Sequence, residues 1–350
     1  MNNKKQKIKI IRLTTNSKKY FSDSMKWKNF KKINRQFSLL FVIITLYVAV
    51  FLSCSQKRKE HIEWIPFTWT SDSVSGKYIE KLAINISATI DKLPHKFTMQ
   101  LDLGALTTEF YGKTLNPYLR KYPILNDKLD TTKTYWSQGE KYPMFRNVNL
   151  QLGNVLFKGI DIGLFKNFGT EPSSDLINSE MEVHIGTIAP DLFQNKILII
   201  DYKKNRIAVT ETLPTEFQNA PFEKFEIKDG RIKIPFLING KVENLMFDTG
   251  SSLFSLVTTK QNAKEIGGTE IVDSLRVPSW DKYITFYGLK TISPIMFGNR
   301  NLESSIVYYD EVNSFDYLYK SENIWGITGN AYFFNDVIII DYKNNRFGVK

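Results

Sequence analysis

The sequence predicts an all-β protein built from two duplicated lobes with few short helices. Three observations carry this expectation. Short β-type runs recur from Lys77 onward, among them Lys81-Leu-Ala-Ile-Asn-Ile86, Val148-Asn-Leu-Gln-Leu152 and Arg231-Ile-Lys-Ile234. Long helical periodicity is scarce, and Thr258 to Ile266 is the best short helix candidate. The chain also repeats itself: Ile197 to Val209 and Val337 to Val349 are identical at eight of thirteen positions, 140 residues apart.

At 350 residues, with 42% hydrophobic and 24% charged side chains, the chain is long enough for two ordinary domains. Its net charge of +11 suggests nucleic acid or a membrane surface until it is located. Residues 1–54 hold 12 of the 47 basic side chains and one of the 36 acidic ones, which leaves 35 of each in the remainder. The body of the protein is neutral, with no basic patch for nucleic acid. The excess belongs to the amino terminus.

There, Lys26, Lys28, Lys31, Lys32 and Arg35 precede an apolar run from Phe37 to Ser53. A basic region before a short apolar stretch has the form of an export signal. Phe51-Leu52-Ser53-Cys54 resembles the lipobox of bacterial lipoproteins, which would make Cys54, the sole cysteine of the chain, a lipid anchor. The alternative is an uncleaved single-pass anchor, since 17 residues lie at the short limit for crossing a bilayer. Met25 would open a more typical signal, leaving residues 1–24 as an upstream extension. Either way the remainder is expected to be exported and membrane-anchored, periplasmic or at the cell surface. Residues 55–75 read as a polar tether, 76–210 as the first lobe, 211–224 with Pro214 and Pro221 as a linker, and 225–350 as the second lobe.

The repeat extends upstream of its strongest stretch. Ile185-Gly186 matches Trp325-Gly326 at the same offset of 140, and Leu152-Gly153-Asn154 matches Phe297-Gly298-Asn299 at 145. Carried further back, the register aligns Asp102-Leu103-Gly104-Ala105 with Asp248-Thr249-Gly250-Ser251, 146 residues apart. Each aspartate ends an apolar strand, where a carboxylate is costly to bury, and a glycine follows that lets the backbone turn sharply. The recurring Asp201 and Asp341 precede Tyr and an Asn-Arg turn, and read as turn residues. Gly186 and Gly326 read as structural. His61, His95 and His184 are scattered without ligand spacing, so neither a metal nor a cofactor is expected.

With these residues in place, the chain resembles aspartic peptidases of the retropepsin-like or pepsin-like group, across nearly all of residues 80–350. The resemblance implies a bilobal, acid-protease-like β-barrel fold with a cleft between the lobes. Asp102 and Asp248 would meet between the lobes, with Gly104, Ala105, Thr249, Gly250 and Ser251 as supporting loop residues. It implies a monomer with pseudo-two-fold lobes that hydrolyses peptide or protein substrates. In the family a hairpin flap covers the substrate, and the corresponding segments place Trp136 and Trp280 as flap candidates. A core aromatic in each repeat is the alternative. The chain departs from the family at Leu103, where a hydroxyl usually hydrogen-bonds across the lobe interface. Two functions therefore stand side by side: an aspartic endopeptidase, or a catalytically impaired binding protein that uses the same cleft.

Overall fold

The computed structural model describes residues 61–350 apart from Gln138, Trp280, Asp281, Glu303 and Ser304. The expected lipid anchor Cys54, the apolar run before it and the flap candidate Trp280 lie outside the described residues. No described helix is long and apolar enough to cross a membrane.

The first lobe contains β1 (Trp64–Val74), β2 (Lys77–Ile90), β3 (Phe97–Leu101), β4 (Glu109–Tyr111), β5 (Leu129–Ser137), β6 (Glu140–Leu152), β7 (Val155–Phe165), β8 (Val183–Ile188), β9 (Ile197–Asp201) and β10 (Arg206–Thr210). Alternation fixes the inward face of its long strands: Ile84, Ile86, Ala88 and Ile90 of β2 are buried, while the residues between them are half-buried. The strand β8 lies between β3 and β4, parallel to the first and antiparallel to the second. β5 and β6 form a wide antiparallel hairpin.

After β11 (Phe222–Lys224), the second lobe repeats the plan with β12 (Glu226–Lys228), β13 (Arg231–Ile238), β14 (Lys241–Phe247), β15 (Leu256–Thr258), β16 (Gly267–Ser279), β17 (Lys282–Thr291), β18 (Ile295–Phe297), β19 (Arg300–Leu302), β20 (Ile306–Asp310), β21 (Gly326–Thr328), β22 (Val337–Asp341) and β23 (Arg346–Val349). Here β21 lies between β14 and β15 with the same parallel and antiparallel relations. The β16–β17 hairpin answers β5–β6. The fold is all-β with two lobes and few short helices, as the repeat and the strand pattern predict.

The two copies meet through β9 and β22, which pair antiparallel with Ile199 opposite Ile339. Those residues are 140 apart, the offset of the sequence repeat, so they occupy equivalent positions. A local two-fold therefore passes between them, with Asp201 opposite Val337 and Ile197 opposite Asp341. One apolar core crosses this seam, running from Phe97 and Ile200 in the first lobe to Ile338, Phe333 and Phe247 in the second.

Three boundaries differ from expectation. The tether ends by Trp64, because Ile65 and Phe67 bury their side chains and β1 pairs with both β10 and β2. The linker carries a short helical turn, Thr215–Phe217, and then β11, which adds to the sheet edge at β23. The short helix at 258–266 begins at Lys260, because the Thr259 hydroxyl accepts from the Asn262 N–H and caps it. A further helix, Gly112–Lys121, holds Pro117 and is amphipathic, burying Thr114, Leu115 and Tyr118. Asp201 and Asp341 do serve their turns, accepting from the backbone N–H of Lys204 and Asn344 and from the guanidinium groups of Arg206 and Arg346.

Candidate active site

Asp102 follows β3 and Asp248 follows β14. Each is held at the end of its strand by the strand inserted beside it: Asp102 N–H donates to the Ile188 carbonyl and Asp248 N–H to the Thr328 carbonyl, both at 2.9 Å. Ile188 and Thr328 are again 140 residues apart, so the duplicated framework delivers the two carboxyls to one place. Their side chains are hydrogen-bonded to each other across the lobe junction.

The glycines explain how the carboxyls come so close. A Cβ on Gly104 would lie 2.5 Å from Cγ of Asp248, and a Cβ on Gly250 would lie 2.8 Å from Cγ of Asp102. Each aspartate thus sits on the glycine of the other lobe, in space that any side chain would fill. Asp102 Oδ1 accepts from the N–H groups of Gly104 (2.9 Å) and Ala105 (3.0 Å), and Asp248 Oδ1 accepts from Gly250 N–H at 2.8 Å. Ser251 lines the cleft above.

Burial lifts both carboxyls above the ordinary range. Asp248 is lifted furthest, because the charge and hydrogen bond of Asp102 add to its desolvation. In Asp102 the desolvation is opposed by the hydrogen bonds from Asp248, Gly104 and Ala105 and by the Arg231 guanidinium. The pair titrates as a unit, with Asp102 the better-supported site for its negative charge.

Thr249 locks the second loop to the first lobe. Its hydroxyl accepts from Leu103 N–H at 2.9 Å and donates to the Leu101 carbonyl at 2.8 Å, all within the protein interior. Leu103 has no hydroxyl to return the favour, and its side chain is buried in the apolar core instead. Leu103→Thr is therefore expected to change stability by no more than about 1 kcal/mol, since lost burial of about 1–2 kcal/mol opposes two new hydrogen bonds of about 0.5–1.5 kcal/mol each. Denaturant unfolding checks this. A loss above about 3 kcal/mol would mean that the new hydroxyl finds no partner.

Each loop has a second clamp, and the two clamps use different residues. In the second lobe Asn330 Nδ2 donates to the Thr249 carbonyl at 3.0 Å and to the Ser252 hydroxyl, while Tyr202 donates to Asn330 Oδ1 at 2.6 Å. In the first lobe Asp191 accepts from the backbone N–H and hydroxyl of Thr108, at 2.9 and 2.5 Å.

Glu109 is a further functional-grade carboxyl near the pair. It is 3% exposed, its Oε2 accepts from the Tyr135 hydroxyl at 2.8 Å, and its Oε1 has no partner. Desolvation, and to a smaller extent the charges of Asp102 and Asp191, raise it to about 7 against the opposing Tyr135 bond. Glu109 pairs with Thr187 where, in the other lobe, Val257 pairs with Ile327. A carboxyl at a position that the repeat fills with valine was a usable signal, but the run Thr107-Thr108-Glu109 reads as an ordinary polar loop. Because Glu109 keeps its proton in the folded state up to about pH 7, its own contribution to stability is expected to fall between about pH 4.5 and 7, and no further above. Glu109→Gln removes that fall, and at pH 8 the variant is expected to be the more stable by about 2 kcal/mol in urea titrations.

The cleft at the lobe junction encloses about 700 Å³ and is lined by both aspartates, with Tyr111 and Phe168 on one wall and Leu253, Phe254 and Phe286 on the other. Trp136 is 60% exposed near the tip of the β5–β6 hairpin, under Lys141, and is not part of this lining. That exposure removes it from the core. Its neighbour Tyr135 is the residue of this hairpin that turns inward, toward Glu109. Among the described residues no cluster of three or more His, Cys, Asp or Glu is placed to hold a metal ion.

No family model matches this chain, and no curated protein matches it significantly. Function is therefore argued from the geometry alone. Two carboxyls sharing a proton at the base of a peptide-sized cleft can activate water with one oxygen and donate a hydrogen bond with another.

Proposed function

We propose that the protein is an aspartic-type endopeptidase of the retropepsin-like or pepsin-like kind, acting on extended peptide segments. The observation that carries this reading is the reciprocal seating of Asp102 and Asp248, each carboxyl on the other lobe's glycine and each hydrogen-bonded to its partner. The ionised carboxylate takes a proton from a water held between the pair, and the water oxygen adds to the scissile carbonyl carbon. The protonated carboxyl donates to the carbonyl oxygen as that oxygen gains charge. The pair then returns a proton to the amide nitrogen, the C–N bond breaks, and the dyad ends with the proton count it began with. Because burial raises the titration of both carboxyls, the singly protonated pair and the activity are expected above the ordinary carboxylate range.

Export and tethering through the amino-terminal 54 residues form part of this proposal, and place the substrate outside the cytoplasm. A second reading is favoured by Leu103: a binding protein that keeps the cleft and has weak chemistry, because only one of the two loop hydroxyls bridges the lobes. Cleavage of a mixed peptide library between pH 4 and 7, by the wild type and by Asp102→Asn, separates the two. Products from the wild type alone support the peptidase. Peptide binding without products from either protein supports the binder.

A further inference from the structure

The β1–β2 hairpin does something that its counterpart in the other lobe does not. It turns at Ser75 and Gly76, both at positive φ, as β12–β13 turns at Asp229 and Gly230. The second-lobe hairpin is short and fastened to its own lobe, with Lys228 donating to the Ser321 carbonyl and Arg231 paired with Glu322. The first-lobe hairpin is long, with strands of 11 and 14 residues, and its tip reaches the other lobe.

Val74, Ser75 and Lys77 fasten its tip there. Val74 is buried in an apolar cluster with Phe254, Leu275, Ile284 and Tyr308 of the second lobe. The Ser75 hydroxyl accepts from the Arg276 N–H at 2.8 Å. Lys77 forms an ion pair with Asp273, whose other oxygen accepts from the Tyr308 hydroxyl at 2.9 Å. Burial opposes the Asp273 charge, but Lys77, Tyr308 and the Ser274 N–H together hold its carboxyl below the usual range, so the pair is ionised. The hairpin tip and the β16–β17 hairpin both line the cleft that holds Asp102 and Asp248.

We propose that this contact is a clasp that walls off one end of the cleft, so that the site selects peptides that terminate inside it over segments within a longer chain. The inference rests on the peptidase reading and names its substrate class. A chain that continues past the clasp must unseat Val74 and part Lys77 from Asp273. Beside Val74 the hairpin packs Ile79 and Leu82 against the same cluster, so the seam joins a small apolar contact to one hydrogen bond and one ion pair, and opening it has a cost that biases the choice. The asymmetry fits this role, because a duplicated fold needs no long hairpin on one side alone.

The test compares a peptide of about six residues, about 20 Å when extended, with the same sequence lengthened by about six residues at each end. The wild type is expected to show kcat/KM at least about tenfold higher for the short peptide. Lys77→Glu sets two carboxylates against each other across the clasp and is expected to erase that preference by raising the rate on the long peptide. The swap Lys77→Glu with Asp273→Lys is expected to restore it. Equal rates for both lengths in the wild type, or an unchanged preference in Lys77→Glu, would overturn the clasp. The same two lengths with a hydroxyethylene group in place of the scissile amide report binding without chemistry. If they bind with the length preference and nothing is cleaved, the clasp stands and the peptidase reading fails. If they bind equally well, the clasp fails whatever the chemistry.

Discussion

Asp248→Asn is expected to reduce peptide cleavage by about a thousandfold or more and, in the same protein, to raise stability at neutral pH. The rate loss follows from the division of labour in the pair. An amide can donate a hydrogen bond to the carbonyl oxygen, but it cannot exchange a proton with Asp102 or return one to the leaving nitrogen. The stability gain follows from linkage. Asp248 titrates well above its ordinary value because it is desolvated and faces Asp102. Below about pH 3.5 it is protonated in both folded and unfolded chains, and the substitution changes little. As pH rises past about 4, the unfolded chain ionises this group while the folded chain does not. Each further unit then costs the wild type about 1.36 kcal/mol until the folded group titrates. Asparagine escapes that cost. Urea unfolding at pH 3 and pH 7, beside peptide cleavage at mildly acidic pH, measures both halves. A variant that cleaves like the wild type would remove Asp248 from the chemistry. One that gains no stability at pH 7 would mean that the pair carries no desolvation strain. A site that costs stability while supplying chemistry is what a preorganised carboxyl pair entails.

How much of this was legible beforehand depends on whether a feature is local or relational. The Asp102 and Asp248 loops could be read from the sequence, because the repeat imposes one register and each aspartate must follow a strand of the same kind. The offset of 140 even encodes the junction, since antiparallel pairing of equivalent strands sets Ile199 against Ile339. The clamps could not be read in this way. Asn330 stands where the first lobe has Pro190, and Asp191 does its work with a different partner, so the repeat hides both. Trp136 reads as a flap candidate because aromatics at hairpin tips cover clefts, and it stands exposed near that tip. One step of strand alternation turns its neighbour Tyr135 inward to Glu109. β1 reads as tether in the sequence because Thr68, Thr70, Ser71, Asp72 and Ser73 make its far half polar. Its purpose becomes visible only when the second lobe is there to receive Val74.

Leu103 invites the most doubt in the sequence, and its neighbour Thr249 supplies the strongest test of how the two halves are held. Thr249→Val keeps the shape of the side chain and removes its hydroxyl. The Leu103 N–H and the Leu101 carbonyl would then be buried without the partner they have now, which is expected to cost about 2–4 kcal/mol of stability. The effect on rate should be larger than that figure suggests. With Leu103 in the other loop, Thr249 is the one side-chain hydroxyl at these two equivalent positions, so the matching bond from the other loop is not there to share the alignment when it is lost. A shift of about 1 Å between the carboxyls is enough for about a hundredfold in rate. Thr249→Ser, which keeps the hydroxyl and loses a methyl group, is expected to recover most of the activity while remaining slightly less stable. The comparison separates packing from bridging: if Val and Ser variants lose rate equally, the methyl group matters and the bridge does not. If the Val variant alone fails, half a lock is sufficient to align the pair, and Leu103 is compatible with catalysis because Thr249 carries the alignment for both loops.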